Sequence, residues 1–165
     1  MAASNEFGPA RCRPYWESEL TIYRRKLPHW RLLGAVYFVT WRLAKRQPPL
    51  TAEERGAVVT AIKHFEDQRY ALPVYVVMDD HVHVLVSPLD GFELHHIVHT
   101  WKSFSSKSLV RDWGRTSPVW HREYFDRVVR NDTEFMQKTQ YILANPFKRW
   151  PSVQEYPWAG FGACL

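Results

Sequence analysis

The sequence predicts an α+β sandwich, a mainly antiparallel sheet with helices packed on it, and three observations carry that class. Residues 73–78 and 81–87 are apolar, β-rich runs separated only by Asp79-Asp80, the arrangement of an antiparallel pair joined by a tight turn. Segments with apolar residues at helical spacing alternate with such runs, giving the order β-α-β-β-α-β-α. The chain has no internal repeat or low-complexity stretch, and 165 residues suit one domain with a real core.

Residues 1–33 are polar and basic, with Arg24, Arg25 and Lys26 ahead of Pro28, and read as an arm leading into a domain at 34–158. Residues 34–43, GAVYFVTWRL, are β-branched and aromatic, a first strand that Gln47-Pro48-Pro49 ends. Thr51 followed by Glu54 has capping-box spacing and opens a helix to about Gln68, with Val58, Ile62 and Phe65 along one face. The two strands at 73–78 and 81–87 follow, then a loop at 88–91. From Phe92 to about Trp113, Leu94, Ile97, Val98, Trp101 and Phe104 keep a helical period. Residues 114–118 form a turn and 124–130 a fourth strand. Asn131 or Asp132 caps the last helix, which Pro146 is expected to stop. Residues 159–165 read as a short tail.

The hydrophobic share of 45% and charged share of 24% exclude a disordered chain. A net charge of +5, a pI near 9.3 and aromatics at 15%, including eight Trp, suit a polyanion whose bases can stack. Single-stranded nucleic acid is therefore the first partner to consider. No apolar run approaches the ~18 residues of a membrane helix, and MAASNEFGPARCR lacks the apolar core of a signal peptide. Cys12 and Cys164 are far apart and form no CxxC pair, which suits free thiols in a reducing cytoplasm.

The chemistry centres on His81 and His83. On a strand, alternate side chains share a face, so both imidazoles project together while Val82 and Val84 point away. Two convergent nitrogen donors on a rigid strand make half of a metal site. A partner half can come from the last helix, where Tyr141 and Asn145 are four apart and lie on one face. Read singly, Tyr141 also suits a core-edge tyrosine and Asn145 a helix C-cap. A competing group is HHIVH, in which His95 and His99 share a helical side next to His96. It lacks the glutamate that the zinc-protease arrangement uses as a base, and reads as structural or DNA-facing.

Together these motifs resemble the HUH single-tyrosine (IS200-like) transposases, and within them the REP-associated tyrosine transposases. The resemblance rests on RRKLPHW and GAVYFVTWRLA, the YVVM-xx-HVHVLVSP strand pair, WKSFSSKSL, VWHREYFDRVVRNDTEF and YILANPFK, in the family's order over roughly Tyr23 to Trp158. It implies an HUH nuclease fold of the ferredoxin-like sandwich type. It also implies a divalent metal, Mg²⁺ or Mn²⁺, on His81, His83 and Asn145, with Tyr141 as nucleophile. The implied reaction is cleavage and rejoining of single-stranded DNA through a 5′-phosphotyrosine, on a palindromic hairpin with a short flanking sequence. A domesticated hairpin-binding protein with little cleavage activity is the alternative.

Phosphate contacts are expected from Arg24, Arg25, Lys26 and Arg31 in the arm, Lys102 and Lys107 on the second helix, and Arg122, Arg127 and Arg130 around the fourth strand. The expected protein acts as a monomer or homodimer in the bacterial cytoplasm at the nucleoid, without a membrane anchor or small-molecule cofactor. One departure from the family stands out: Asp79-Asp80 replaces the usual Pro-Asn before the HVH, so that Asp79 shares the face of His81 and His83.

Overall fold

The computed structural model describes residues 20–24, 28–32 and 35–162. Five antiparallel strands form one sheet and three helices pack on it, which is the expected class. In chain order the elements are β1 (Leu20–Arg24), β2 (Pro28–Leu32), β3 (Tyr37–Arg42), α1 (Ala52–Lys63), β4 (Tyr70–Val77) and β5 (His81–Pro88). They continue with α2 (Leu94–Trp113), β6 (Phe125–Val128), α3 (Asp132–Arg149) and β7 (Ala159–Phe161). The main sheet runs β6-β3-β5-β4-β7, and β1 pairs only with β2.

Several ends shift by a few residues from the sequence reading, α1 closing at Lys63 where about Gln68 was expected and β4 opening at Tyr70 where residue 73 was, and three differences are larger. Part of the expected arm is a hairpin, β1 against β2, because LTIYR and PHWRL carry enough β-branched and aromatic residues to pair. The expected tail begins with β7, whose backbone finds partners on the free edge of β4. Pro146 does not end α3, which continues to Arg149. Proline removes one N–H and normally kinks or breaks a helix. Here Pro146 is buried, the Trp150 N–H closes the next turn on the Pro146 carbonyl, and Arg149 reaches Asp79 at 3.1 Å. Burial of Ile142 and Pro146, with Leu143 and Trp150 packed on the same cluster, holds the helix on both sides of the local break.

Local rules account for most other elements. Thr51 and Glu54 form the full capping box of α1, and Asn131 Oδ1 accepts the Glu134 N–H at 2.8 Å to open α3. Gly114 ends α2 in the left-handed region at φ 67°, where a residue without Cβ is unstrained. Asp79-Asp80 joins β4 to β5 as a two-residue connection, with Val77 opposite Val82 and the Met78 N–H on the His81 carbonyl.

Alternation along the strands then divides the interior in two. Tyr37, Val39 and Trp41 of β3 and Val82, Val84 and Val86 of β5 face α1 and α2, meeting Val58, Ile62, Ile97, Val98 and Trp101. The intervening residues, among them Phe38, Val74, Val76 and Leu85, face α3 and meet Ile142, Phe135 and Leu143. Trp41, Trp101 and Trp120 are core residues of the first layer, so part of the tryptophan content is packing rather than stacking surface. Trp101 Nε1 donates to Tyr70 Oη at 2.8 Å, and Tyr70 Oη donates to the Ile62 carbonyl at 2.7 Å. His81 and His83 fall on the α3 side by the same alternation.

Candidate functional site

Register places the first half of the site. Thr40 stands opposite His83 and Arg42 opposite His81 in the β3–β5 ladder, so these four side chains leave the sheet on one face. The two imidazoles lie 4.6 Å apart between centroids. Each is held through its Nδ1. His81 Nδ1 donates to the Asp80 carboxylate at 2.6 Å, and His83 Nδ1 is 2.6 Å from the Thr40 hydroxyl, which can accept its proton. In that tautomer both Nε2 lone pairs are free, as a metal requires of imidazole ligands. Phe38 stacks on His83 at 5.5 Å and helps to fix the ring.

Burial shapes the electrostatics. His83 is only 5% exposed, and that burial, followed by the positive charge available on His81, pushes its pKa down to about 3. The ring is neutral at physiological pH, the form that donates a lone pair. Burial raises the Asp80 carboxyl, but its hydrogen bond to His81 and the charges of His81 and Arg149 outweigh this and hold it below the usual range. Asp80 is therefore the carboxylate that orients His81. Asp79 turns to α3, the helix on the histidine side, and not to either imidazole: its Oδ2 accepts from Arg149, and its Oδ1 is buried without a hydrogen-bond partner among the described residues. The tight turn, rather than strand alternation, decides where these two side chains go.

The second half comes from α3. Tyr141 is 42% exposed, and its ring lies 5.3 Å from His83 and 6.0 Å from Phe38. Its own chain therefore brings it to the histidine pair. Asn145, one turn further, is half-buried and donates its amide N–H to the Tyr141 carbonyl at 2.7 Å. That bond uses the amide nitrogen and leaves the amide oxygen as the atom it can offer a metal. Because Pro146 is inside the helix, Asn145 sits on a continuous turn rather than at the frayed end expected for it. Two imidazole nitrogens and an amide oxygen are a suitable donor set for a divalent cation that keeps some water.

Two cations near Tyr141 escape the sequence reading. Lys138 Nζ lies 4.7 Å from the Phe38 ring and 5.9 Å from the Tyr141 ring, and Lys148 Nζ lies 5.4 Å from the Tyr141 ring. Lys138 is three residues before Tyr141 and so on its helical face, a spacing from which it could have been found. Thr40 was not accessible to such reasoning, because only strand register pairs it with His83.

The expected DNA contacts divide. Arg122 and Arg130 are exposed near β6, and Arg127 on β6 pairs with Glu134 at 3.0 Å. Lys107 is exposed on α2, on the opposite side of the sheet from Tyr141. Lys102 is half-buried and donates to the carbonyls of His121 and Arg122, both at 2.8 Å; it braces backbone where a phosphate contact was expected. Arg25, Lys26, Cys12 and Cys164 lie outside the described residues, and only the strand backbone is described for Arg24 and Arg31.

HHIVH also resolves. His95 and His96 gather on Glu93, with Nδ1 to carboxylate distances of 3.2 and 3.8 Å, in an arrangement able to hold a metal ion. It opens α2, where the positive end of the helix dipole opposes a cation. His99 stays exposed and outside that group. No described helix is long and apolar enough to cross a membrane.

The fold is that of a transposase domain: residues 33–145 match the family described as Transposase IS200 like, and the chain belongs to that family. Among its relatives, the REP-associated tyrosine transposase of Escherichia coli (strain K12) is 23% identical over 145 residues, spanning 86% of this chain and 83% of that protein. A REP-associated tyrosine transposase solved bound to a REP hairpin superposes with a TM-score of 0.65 at 20% identity, over 83% of this chain and 80% of that one. A putative transposase from Deinococcus radiodurans R1 gives a TM-score of 0.51 at 20% identity, over 66% of this chain and 88% of that one.

Proposed function

We propose that this protein is a metal-dependent, single-strand-specific DNA transesterase that binds palindromic hairpin DNA and cleaves and rejoins it through a 5′-phosphotyrosine. The observation that carries the reading is Tyr141 lying 5.3 Å from His83, on the face where both histidines keep Nε2 free. A divalent cation, Mg²⁺ or Mn²⁺, held by His81, His83 and Asn145 would supply Lewis acidity to a phosphate oxygen.

The protein's own residues do the rest. Asp80 and Thr40 hold the imidazoles in the ligand tautomer, and Phe38 keeps Tyr141 and His83 at a fixed separation. Tyr141 Oη bonds to phosphorus, the P–O3′ bond breaks, and the 3′ oxygen leaves as a hydroxyl. The phenolic proton passes to solvent as that oxygen gains one. Covalent capture conserves the phosphodiester for the reverse reaction. Lys138 and Lys148 flank the phenol and neutralise charge on the phosphate as it attaches.

One chain carries both halves, so a monomer suffices for cleavage, while an exchange needing two nucleophiles takes two protomers. Such work on DNA places the protein at the bacterial nucleoid. The test is incubation with hairpin-bearing single-stranded DNA and Mn²⁺ or Mg²⁺, scored as a denaturation-resistant adduct. Wild-type adduct that disappears with chelator and in Tyr141→Phe supports the reading. A second reading, a hairpin-binding protein without cleavage, rests on Asp79-Asp80 standing where the family's usual Pro-Asn precedes the histidines, and tight binding with no adduct under either metal would establish it.

A further inference from the structure

A pocket of about 380 Å³ opens beside His81, lined also by Arg42, His121, Glu123, Tyr124 and Phe125. It is continuous with the histidine face through Thr40, the residue that holds His83. His81 and Thr40 serve the histidine site, whereas Arg42, His121, Glu123 and Phe125 of the same pocket have no role assigned above. Its volume lies in the range of small-ligand sites, and its composition, an aromatic rim with a few polar groups, is that of a planar ligand's site. Phe125 is 53% exposed on the edge strand and offers an open ring face.

The polar groups are specific. Arg42 brings a planar fork of donors. His121 Nδ1 accepts the Glu123 N–H at 3.2 Å, so the neutral ring carries its proton on Nε2 and is a second donor. Glu123 supplies acceptors. The wall is braced from two directions, by the His121 N–H on the Arg42 carbonyl at 2.9 Å and by Lys102 on the carbonyls of His121 and Arg122. That is the use the fold makes of Lys102: a half-buried ammonium reaching from the other side of the sheet to set the edge of the pocket.

We infer that this pocket takes one unstacked guanine from the DNA strand that crosses the histidine face, and that Arg42, His121 and Glu123 read it. Guanine pairs its O6 and N7 acceptors with a guanidinium fork and turns N1–H and N2–H₂ toward a carboxylate. Adenine would set its amino group against the guanidinium, and a pyrimidine lacks the paired acceptors. Phe125 stacks on the base, which leaves the adjoining phosphate beside His81. The inference rests on the transesterase reading and adds the base that positions the cut.

The test is a binding selection from single-stranded DNA carrying a randomised stem–loop and randomised flanks, run with full-length wild type, Arg42→Ala, Glu123→Gln and Phe125→Ala. Wild type should enrich a motif with one fixed guanine next to the nucleotide at which adduct forms. The Arg42 and Glu123 variants should lose preference at that position alone, by on the order of 10- to 100-fold. Phe125→Ala should lower affinity for every base there, and a 7-deazaguanine at that position should penalise wild type but not Arg42→Ala. Variants that select the wild-type motif, or that lose all positions together, overturn the pocket assignment while wild-type adduct formation still supports the transesterase. Failure of wild type to enrich any hairpin refutes both.

Discussion

On the α1/α2 side of the sheet, Trp41 stacks on Trp101 at 5.7 Å, and Trp101 meets Tyr70 edge-on at 4.9 Å. The same layer is bordered by a buried ion pair: Arg115 donates to both Glu54 oxygens and to the carbonyls of Pro48 and Pro49. On the α3 side, Phe38 and His83 form the floor, a threonine and an aspartate hold the two imidazoles, and Tyr141 remains open to solvent. The first layer is closed by large rings; the second is thinner and keeps polar atoms unsaturated. The contrast shows how a small sheet can concentrate stability on one face and leave polar groups open on the other.

Tyr141→Phe should break the comparison most sharply on the reactive side. Adduct formation should vanish on denaturing gels, while thermal midpoint and hairpin affinity hold, since the hydroxyl has no packing role. Arg115→Met is its counterpart on the stable side. It leaves a buried Glu54 carboxylate uncompensated and should cost about 3–5 kcal/mol. Calorimetry should show a fall of roughly 10 °C or more. The cleavage rate per folded molecule should be unchanged at low temperature. Thr40→Val tests the border between the faces: it keeps shape but removes the His83 Nδ1 partner, and should lower metal affinity or cleavage roughly 10- to 100-fold.

The two faces should also separate by pH. His83 titrates near 6.5 when unfolded and about 3 when folded. As pH falls from 6.5 toward 3 the unfolded chain binds a proton that the folded chain refuses, so stability declines across that window. Burial raises Glu54, but Arg115 and Thr51 more than offset it and hold its pKa below 4.5, so its contribution is present above 4.5 and lost as pH falls through the lower folded value. Urea midpoints should thus begin to drop near pH 6.5, and His83→Gln should flatten the decline down to about pH 3, leaving below 4.5 only the part that Glu54 contributes. The smallest expected effect concerns salt. Arg122→Ala should reduce the slope of log affinity against log salt by about 0.7, whereas Lys102→Met should leave the slope unchanged.

Sequence alone made the histidine strand and its shared face legible, because alternation is a local rule and His81 and His83 obey it. The capping box at Thr51 and Glu54 and the cap at Asn131 were legible for the same reason. What escaped depends on contacts between distant segments. Pro146 looks like a stop until Arg149 and Trp150 are seen holding the helix beyond it. Lys102 resembles a DNA contact until the segment before β6 folds over it. Asp79 and Asp80 are chemically identical in sequence, and only the turn decides that one holds His81 and the other Arg149.

That turn has a dynamic consequence. Asp80 grips the first imidazole and Asp79 grips the last full residue of the helix that carries Tyr141. A single peptide plane links the two grips. Fluctuations of the histidine strand and of the helix that carries Tyr141 are therefore coupled through the turn, and the gap between His83 and Tyr141 is narrower in its distribution than the mobility of either element alone would allow.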